Sequence, residues 1–312
     1  MAFRNVPCDF CGSEEYKTLF SGRDLLLGLP GLFTMVECSS CGLIRQNPQP
    51  TPDIIQFFYP SYYPSFTIAV DDEISMIRKL ERKYGLIKMI KIVEKFQKGG
   101  KLLDVGCSTG NFLSELAKRR IWDVEGVDPS QYAVSYAQKR FGLKVRCGFI
   151  EEIDLPTETY DVVTMWDVLE HTYHPYFVIK KVNNLLKDGG YFIFSVPNMH
   201  SLDRYIFGKY WMGWDLPRHL YLFPDKVLDN MLRSAGFEIR KRYYNKGNYI
   251  SIYDSTRFFI SDKFPGLSFV HLFLGSIIVK SVMYPLLWII GKMGLSWRVV
   301  VIAQKISKKA LF

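Results

Sequence analysis

From residue 101 onward, short runs of apolar residues alternate with longer segments whose apolar positions recur every three or four residues. Short apolar runs are typical of buried strands, and the longer spacing is typical of amphipathic helices. Strands are predicted at 101–105, 122–127, 145–147, 160–165 and 190–196, with a closing pair at 237–244 and 298–306. Helices are predicted at 112–120, 130–141, 176–186 and 223–235. The alternation predicts an α/β fold, in which a doubly wound sheet of seven strands carries helices on both faces.

The flanking segments lack this alternation and divide the chain further. Residues 1–50 hold four of the six cysteines and show little helical periodicity, which predicts a small zinc-ribbon module. Residues 51–100 begin with an aromatic, proline-spaced linker, and because aromatic side chains bury large areas we expect it to pack against the rest of the protein. A basic amphipathic helix follows it. Residues 101–312 form the main domain, with an apolar helical insertion at 255–295.

Positive charge is concentrated in the predicted basic helix. The chain carries a formal charge of +9, and residues 78–101 alone contain nine basic and two acidic residues, a balance of +7. Such a run is either the solvated face of a helix or a surface for nucleic acid, acidic lipid headgroups or a phosphorylated substrate. The apolar positions of the same helix recur at spacings of three and four: Ile77, Leu80, Tyr84, Ile87 and Ile90.

Two identical Cys-x-x-Cys-Gly turns stand in the N-terminal segment, at Cys8 and Cys11 and again at Cys38 and Cys41. Each turn places two thiolates at one edge of a metal, so the pair predicts a closed tetrahedral zinc site with no open position for catalysis. We expect the zinc to be structural, because a small segment with few apolar residues needs a metal to hold it together. Redox-active or simply buried cysteine turns are the alternative.

The first predicted strand of the main domain leads into a turn that contains Gly106 and Gly110. Glycines there let a ligand approach the backbone closely, and the following helix offers N–H groups to a carboxylate. The dinucleotide spacing Gly-x-Gly-x-x-Gly would need glycines where Ser108 and Asn111 stand. Asp128 ends the next strand, where a carboxylate can accept hydrogen bonds from both ribose hydroxyls of a nucleoside.

Five motifs carry a family resemblance: Asp104-Val-Gly-Cys-Ser-Thr-Gly110, Gly126-Val-Asp-Pro-Ser130, Tyr160-Asp-Val-Val163, Asp167-Val-Leu-Glu-His171 and Leu185-Leu-Lys-Asp-Gly-Gly190. Together they resemble class I S-adenosylmethionine-dependent methyltransferases, in the small-molecule branch that begins with a zinc-binding module and includes sugar C- and O-methyltransferases. The resemblance implies a Rossmann-like sheet ordered 3-2-1-4-5-7-6, with strand 7 antiparallel. It further implies S-adenosyl-L-methionine as cofactor, with adenine beside Phe149 and Ile150. The remaining implied cofactor contacts are Asp104, Gly106, Cys107, Gly110, Asp128, Pro129 and Trp166.

Two histidines are the candidate catalytic groups, because an unperturbed imidazole titrates near neutral pH. His171 follows the fourth strand, at the sheet edge where ligands bind. His219 stands in an aromatic segment after the fifth strand, where relatives build a lid over the acceptor. Sugar C-methyltransferases carry Tyr-x-Glu-His there, whereas this chain has Leu216, Pro217 and Arg218 before the histidine, which favours O-methylation by a His219 base. Arg218 is either a surface residue or a partner for an acceptor phosphate or carboxylate.

The insertion contains a strongly apolar stretch, residues 267–290, with Lys280 near its centre. Its length is enough to span a bilayer. However, the last strand must return to the same side of a membrane to complete the sheet. We therefore expect helices that cover the core or lie in the membrane interface, with peripheral membrane contact through 264–295, and spanning is the least favoured option.

These features predict an enzyme that transfers a methyl group from S-adenosylmethionine to a small-molecule acceptor, with a sugar or glycan precursor as the first choice. The alternative is a membrane-associated O-methyltransferase of a lipid-like or quinone-like acceptor. A nucleic-acid-binding zinc-ribbon protein is the non-enzyme alternative, but the ribbon itself is not notably basic, so no nucleic-acid partner is expected. The N-terminal residues lack the apolar run of a secretory signal, which predicts a cytoplasmic protein, with association to a membrane as the further option.

Overall fold

The computed structural model describes residues 2–60, 63, 69–244, 249–267 and 269–307, so part of the predicted aromatic linker (61–62 and 64–68) lies outside it. The strands, β1 to β13 in chain order, are Phe3–Arg4, Tyr16–Gly22, Phe33–Cys38, Ile44–Gln46, Gln49–Pro50, Gly100–Val105, Trp122–Asp128, Lys144–Cys147, Tyr160–Trp166, Leu186–Pro197, Tyr221–Leu222, Phe237–Tyr244 and Arg298–Lys305. The α-helices, α1 to α10, are Pro52–Ile55, Met76–Phe96, Asn111–Ala117, Gln131–Phe141, Pro175–Leu185, Leu202–Phe207, Asp225–Ser234, Ile250–Lys263, Val270–Leu274 and Ile277–Lys292. Each strand and helix predicted after residue 100 is present within a few residues of its expected bounds.

The central sheet of the described chain has seven strands in the order β12-β13-β10-β9-β6-β7-β8. Strands β10, β9, β6, β7 and β8 are parallel, and β13 runs antiparallel to both of its neighbours, β10 and β12. This arrangement confirms the predicted seven-stranded order with its one reversed strand. The carboxyl ends of β6, β7, β8 and β9 therefore meet at one edge, which is where open α/β sheets bind ligands.

Helices cover both faces of this sheet, as predicted. Side chains alternate along each strand, so Leu103 and Val163 face one layer while the adjacent Leu102 and Val162 face the other. On the first side the buried cluster is completed by apolar residues of α5 and α7, and on the second side by residues of α2, α3 and α4. Near-continuous apolar strands are required here because both faces are buried.

The N-terminal segment forms a second, four-stranded sheet in the order β11-β4-β3-β2. Three of its strands lie within the first 50 residues, but β11 comes from the segment between β10 and α7. Tyr221 pairs with Arg45 and Leu222 with Ile44, and the backbone N–H of Gln46 donates to the carbonyl of Leu220. The cysteine-rich segment is thus joined by backbone hydrogen bonds to the part of the chain that contains His219.

Only part of the apolar stripe of the basic helix α2 is buried. Ile77, Leu80 and Tyr84 are all more than half exposed, whereas Ile90 and Val93 are fully buried. A helix of 21 residues extends about 30 Å, far beyond the seven-residue α3 against which it packs. The C-terminal half of α2 therefore packs against the main domain, while its N-terminal half contacts residues 70–73, where Lys79 pairs with Asp71 and Arg82 with Glu73.

The apolar insertion folds into α8, α9 and α10. Helix α8 buries Ser251, Asp254, Ser255 and Phe258, whereas the buried residues of α10 are Leu287 and Gly291. The prediction that these helices cover the core therefore agrees in part with α8 but not with α10, because among the described residues no element covers most of the surface of α10. Among the helices of the described ranges, none combines the length and apolarity needed to cross a bilayer.

Candidate active site

The turn between β6 and α3 builds one side of the site. Gly106 and Gly110 both adopt left-handed backbone conformations, with φ of 72° and 78°. A Cβ at Gly106 would lie 2.4 Å from a methyl carbon of Val168, so a side chain is excluded there as well as strained. Ser108, at the position of the family's middle glycine, also has a positive φ of 48°. The turn thus leaves its backbone open toward the carboxyl edge of the sheet.

Asp128 lies beside this turn at the end of β7 and is held in a fixed orientation. One carboxylate oxygen accepts from the Ser108 backbone N–H at 2.8 Å, and the other accepts from the Ser130 backbone N–H at 2.9 Å. A carboxylate offers about four acceptor positions, so two remain for hydroxyl donors of a ligand. Burial raises the pKa of Asp128, although the two backbone N–H groups oppose that shift. These contacts fix the orientation of the carboxylate at the edge of the sheet.

Two of the predicted cofactor residues face the interior behind the turn. Asp104 is buried and accepts a hydrogen bond from the Thr164 hydroxyl at 2.6 Å, and its burial raises its pKa to about 7. The Cys107 thiol is also buried and packs close to Gly126, where an added Cβ would lie 2.7 Å from the sulfur. Their side chains support the turn from behind, so any contact of Cys107 with a ligand would use its backbone.

The other predicted cofactor residues surround the same edge. Pro129 follows β7 and is exposed. Phe149 and Ile150 follow β8, the first half-buried and the second buried. Trp166 ends β9, and its ring makes an edge-to-face contact with that of Phe112, with ring centres 5.6 Å apart. The structure therefore brings together, around one edge, residues spread over more than 60 positions of sequence.

A large cavity of about 940 Å³ opens beside this edge. It is lined by the residues after β9, by the aromatic segment that contains His219, by the loop after β2 and by α8. Charged or titratable side chains in the wall include Asp167, Glu170, His171, Asp215 and His219. The cavity is large enough for a small organic acceptor, and its wall combines hydrogen-bonding groups with aromatic rings.

His219 is buried in this wall with one ring nitrogen occupied. Its Nδ1 lies 2.8 Å from the Gly213 carbonyl, and because a carbonyl only accepts, Nδ1 carries the proton. The other nitrogen, Nε2, lies 4.0 Å from carboxylate oxygens of both Glu170 and Asp215. Burial lowers the pKa of His219, partly offset by Asp215, so the ring stays neutral and Nε2 keeps its lone pair.

His171 packs against His219 in an edge-to-face contact, with ring centres 4.6 Å apart. Its Nδ1 lies 2.9 Å from the Arg218 carbonyl and 2.9 Å from the Tyr59 hydroxyl. Burial lowers the pKa of His171 to about 3, so it remains neutral at physiological pH. The position of His171 is thus fixed by Tyr59, a residue of the aromatic linker that sequence reasoning assigned only to packing.

Glu170 is a second residue that sequence reasoning left without a role. It is fully buried, and neither carboxyl oxygen has a hydrogen-bond partner among the described residues. Burial, reinforced by Asp167, raises its pKa well above the usual value, which favours the neutral acid. One ligand-type atom each from Glu170, His171 and His219 lies within 4.8 Å of the others, so this acid–base group is also compact enough for a metal ion. Its place directly before His171 in the Asp167–His171 motif was the available signal.

Arg218 lies neither at the surface nor free to bind an acceptor, which were the two alternatives predicted for it. The guanidinium is fully buried and forms ion pairs with Asp24 at 2.8 Å and with Asp215 at 2.7 Å. It also donates to the carbonyl of Phe58. With two carboxylates already bound, Arg218 is unavailable to an acceptor and instead joins the N-terminal segment, the linker and the histidine-bearing segment. Its own carbonyl orients His171, so the ion pairs stabilise the histidine pair.

The four cysteines of the N-terminal segment converge as predicted. The Sγ atoms of Cys8 and Cys41 are 3.5 Å apart, as are those of Cys11 and Cys38, and all four lie within 4.8 Å of one another. In each turn the glycine after the second cysteine donates its backbone N–H to the carbonyl of the first. This spacing and the all-thiolate donor set fit a tetrahedral zinc ion.

Comparisons with known proteins agree with this geometry. The family described as "Methyltransferase domain" matches residues 76–242, more than half of the chain. A ubiquinone biosynthesis O-methyltransferase from Bradyrhizobium diazoefficiens is 33% identical over 151 residues, covering 43% of this chain and 58% of that protein. Another, from Coxiella burnetii, is 34% identical over 106 residues, covering 32% of this chain and 45% of that protein. The chain thus spans about half the length of the curated relatives it matches.

Among solved structures, a protein from Galdieria sulphuraria provisionally assigned as a sarcosine dimethylglycine methyltransferase has a TM-score of 0.51 with this chain. The alignment covers 80% of this chain and 97% of that protein at 14% identity, so it supports the fold alone. The family match, the sheet order and the glycine turn beside an acidic strand end all agree. The chain belongs to the family of class I S-adenosylmethionine-dependent methyltransferases.

Proposed function

We propose that the enzyme methylates a hydroxyl group of a small molecule held in the 940 Å³ cavity, with His219 as the general base. The observation that carries this proposal is the unprotonated Nε2 of a buried, neutral His219 in the cavity wall. S-adenosylmethionine, when bound, supplies a methyl group already activated by its sulfonium charge. The chain must therefore align the acceptor and remove one proton.

In the proposed reaction, the acceptor oxygen forms a bond to the methyl carbon while the carbon–sulfur bond breaks. The hydroxyl proton passes to Nε2 of His219, and S-adenosylhomocysteine leaves with the electron pair on sulfur. The Asp215 carboxylate, 4.0 Å from Nε2, lies where it can stabilise the imidazolium that results. The Gly213 carbonyl holds the ring so that Nε2 faces that carboxylate.

Two acceptor classes fit different parts of the cavity. Its carboxylates and aromatic rings suit a polyhydroxylated acceptor such as a sugar or glycan precursor, because hydroxyls donate to carboxylates and sugar faces stack on rings. Ile250, Tyr253 and Phe258 of α8 provide an apolar side, which suits a lipid-like or quinone-like acceptor. The relatives named as ubiquinone biosynthesis O-methyltransferases support oxygen as the methylated atom in either class.

The test is a transfer assay with S-adenosylmethionine labelled in its methyl group, offered soluble sugars, nucleotide sugars and lipid extracts. We expect label in one acceptor class, and mass spectrometry of the product should place the methyl group on oxygen. Incorporation on carbon or nitrogen would contradict the His219 base mechanism. Equal transfer of labelled methyl groups by the wild-type enzyme and by His219→Ala would contradict it as well.

We further propose one structural zinc ion bound by Cys8, Cys11, Cys38 and Cys41. The purified protein should contain one zinc per chain, and Cys8→Ser combined with Cys38→Ser should remove it, since both turns then lose a thiolate. Cys147→Ser is the matched control, because this exposed cysteine lies outside the cluster. Elemental analysis that finds zinc retained in the double variant, or absent from the wild type, would contradict the assignment. Free thiols and a thiolate-bound metal suit the reducing cytoplasm, which we propose as the compartment.

A further inference from the structure

The surface of α9 and α10 is strongly apolar and uncovered by other described elements. Ile278 and Val282 are 71% and 73% exposed, although both would normally be buried. The other large apolar residues exposed on or between these helices and at their ends are Phe269, Phe273, Ile277, Tyr284, Leu286, Trp288, Ile289 and Met293. We call this set the apolar surface. A contiguous apolar area of this kind marks a binding site rather than ordinary protein surface.

Lysine side chains border the apolar surface, and the sequence from 263 to 307 contains no Asp or Glu. Lys263, Lys280 and Lys292 lie at or within the bounds of the three helices and are exposed. The Lys292 ammonium lies 3.8 Å from the ring centre of Trp288, which places an amphipathic ring next to a cation. Apolar side chains with a cationic border are complementary to an anionic lipid surface.

The shape of the apolar surface favours a bilayer over a partner helix. At 100° per residue, the exposed apolar positions of α10 spread over about 200° of its circumference. A helix packed into a protein groove presents a narrower stripe, of about 100°. Helix α10 has 16 residues, too few to span a bilayer, so a bilayer could cover its broad apolar face only at the interface.

The apolar surface is continuous with the wall of the cavity. Helix α8 lines the cavity with Ile250, Tyr253, Arg257 and Phe258 and then packs against α9, which packs against α10. At the far end of α8, Phe264 and Leu267 are about half exposed. One run of helices therefore connects the cavity wall to the apolar surface.

We propose that α9 and α10 dock on the surface of an anionic lipid bilayer, and that the acceptor is a lipid-linked molecule whose polar group enters the cavity past α8. This inference rests on the proposed function for the methyl-transfer step. Docking places the cavity opening near the headgroup layer, where a lipid-linked hydroxyl is present at high local concentration. The basic residues supply attraction to anionic headgroups, and the apolar side chains supply the buried area.

The test uses the full-length protein with two kinds of vesicle, phosphatidylcholine alone and an equimolar mixture of phosphatidylcholine and phosphatidylglycerol. We expect pelleting with the anionic vesicles, weaker pelleting with the neutral ones, and partial release at high salt. Ile278→Glu combined with Val282→Glu should reduce vesicle affinity by about tenfold or more, because two side chains lose their burial in lipid. S-adenosylmethionine affinity should remain at the wild-type level, which reports that the variant is folded.

Ile77→Glu combined with Leu80→Glu is the matched control, since it makes the same change at exposed apolar residues of the basic helix α2. The control should pellet like the wild type. Docking through α9 and α10 is overturned if the Ile278 and Val282 variant still pellets, or if the α2 variant alone loses pelleting. It is also overturned if gel filtration shows that the Ile278 and Val282 variant turns a dimer into a monomer while vesicle binding is absent from both forms.

A second measurement separates this inference from the proposed function. Methyl transfer is followed with a lipid-extract acceptor in vesicles and with a water-soluble acceptor. Loss of vesicle transfer alone in the Ile278 and Val282 variant supports the docking proposal. Equal transfer by wild type and variant from vesicles overturns docking while methyl transfer stands. Absence of transfer to any hydroxyl acceptor, with vesicle binding intact, contradicts the proposed function and leaves the docking result in place.

Discussion

Replacing His219 with Ala should lower turnover by about 10²–10⁴-fold, the range that a positioned general base contributes. The imidazole Nε2 is the unprotonated nitrogen of a buried ring in the cavity wall, and alanine leaves no group there to take the acceptor proton. Affinity for S-adenosylmethionine should barely change, because the proposed cofactor contacts lie around Asp128 and the glycine turn. The measurements are kcat from labelled methyl transfer and cofactor affinity from calorimetry.

His171→Ala is the comparison for this experiment. Its ring is held by Tyr59 and the Arg218 carbonyl and packs against His219, so its loss should disturb cofactor and acceptor binding together. If His219→Ala keeps nearly wild-type turnover while His171→Ala loses it, the base is His171 and the proposed role of His219 is wrong. Turnover that depends on added Mg²⁺ or Mn²⁺ would instead assign the Glu170, His171 and His219 group to cation binding.

Asp128→Ala should weaken S-adenosylmethionine binding by about 100-fold or more. A hydrogen bond to a charged group contributes about 1.5–3 kcal/mol, and two ribose hydroxyls would lose their charged acceptor at once. The same change frees the Ser108 and Ser130 N–H groups that now orient the carboxylate, so the glycine turn also loses a support. Calorimetry on the purified variant measures the effect directly, without any need for the acceptor.

Asp128→Asn is the conservative partner of that variant. It retains the shape and one acceptor oxygen but loses the charge, so its affinity should fall between those of the wild type and Asp128→Ala. Thermal unfolding of both variants without cofactor checks that the turn remains folded. Wild-type affinity in Asp128→Ala would show that the ribose is held elsewhere, and the assignment of this edge of β7 to the ribose would be wrong.

The sequence located much of this site because the decisive signals are local. The residues that form the glycine turn, from Gly106 to Gly110, lie between a predicted strand and a predicted helix, and their spacing set the backbone conformation found there. Asp128 follows an apolar run whose end had to lie at the same edge, since parallel strands end together. Two Cys-x-x-Cys turns with equal spacing likewise required a common partner, and their sulfurs converge.

The sequence did not show which of the apolar and charged side chains on the predicted helices and loops are buried. The apolar stripe of α2 and the apolar residues of α10 have helical spacing, yet much of each remains exposed. Periodicity shows that a helix can bury one face, but it does not show whether another element is present to cover that face. Arg218 illustrates the converse, because a charged residue expected at the surface or in the acceptor pocket is fully buried between two carboxylates.

The sequence by itself determined the seven-stranded fold, the glycine turn, the acidic end of β7 and the cysteine cluster, because each depends on the local spacing of residues along the chain. Only the tertiary structure decided the chemistry of the acceptor side. Asp24 reaches Arg218 across 194 positions, and Tyr59 reaches His171 across 112. Those contacts hold Arg218 and His171 in place, while the Gly213 carbonyl sets the tautomer of His219. Glu170 is buried with no hydrogen-bond partner among the described residues. Long-range contacts of single side chains leave no periodic trace in a sequence, so they become visible only when the chain is folded.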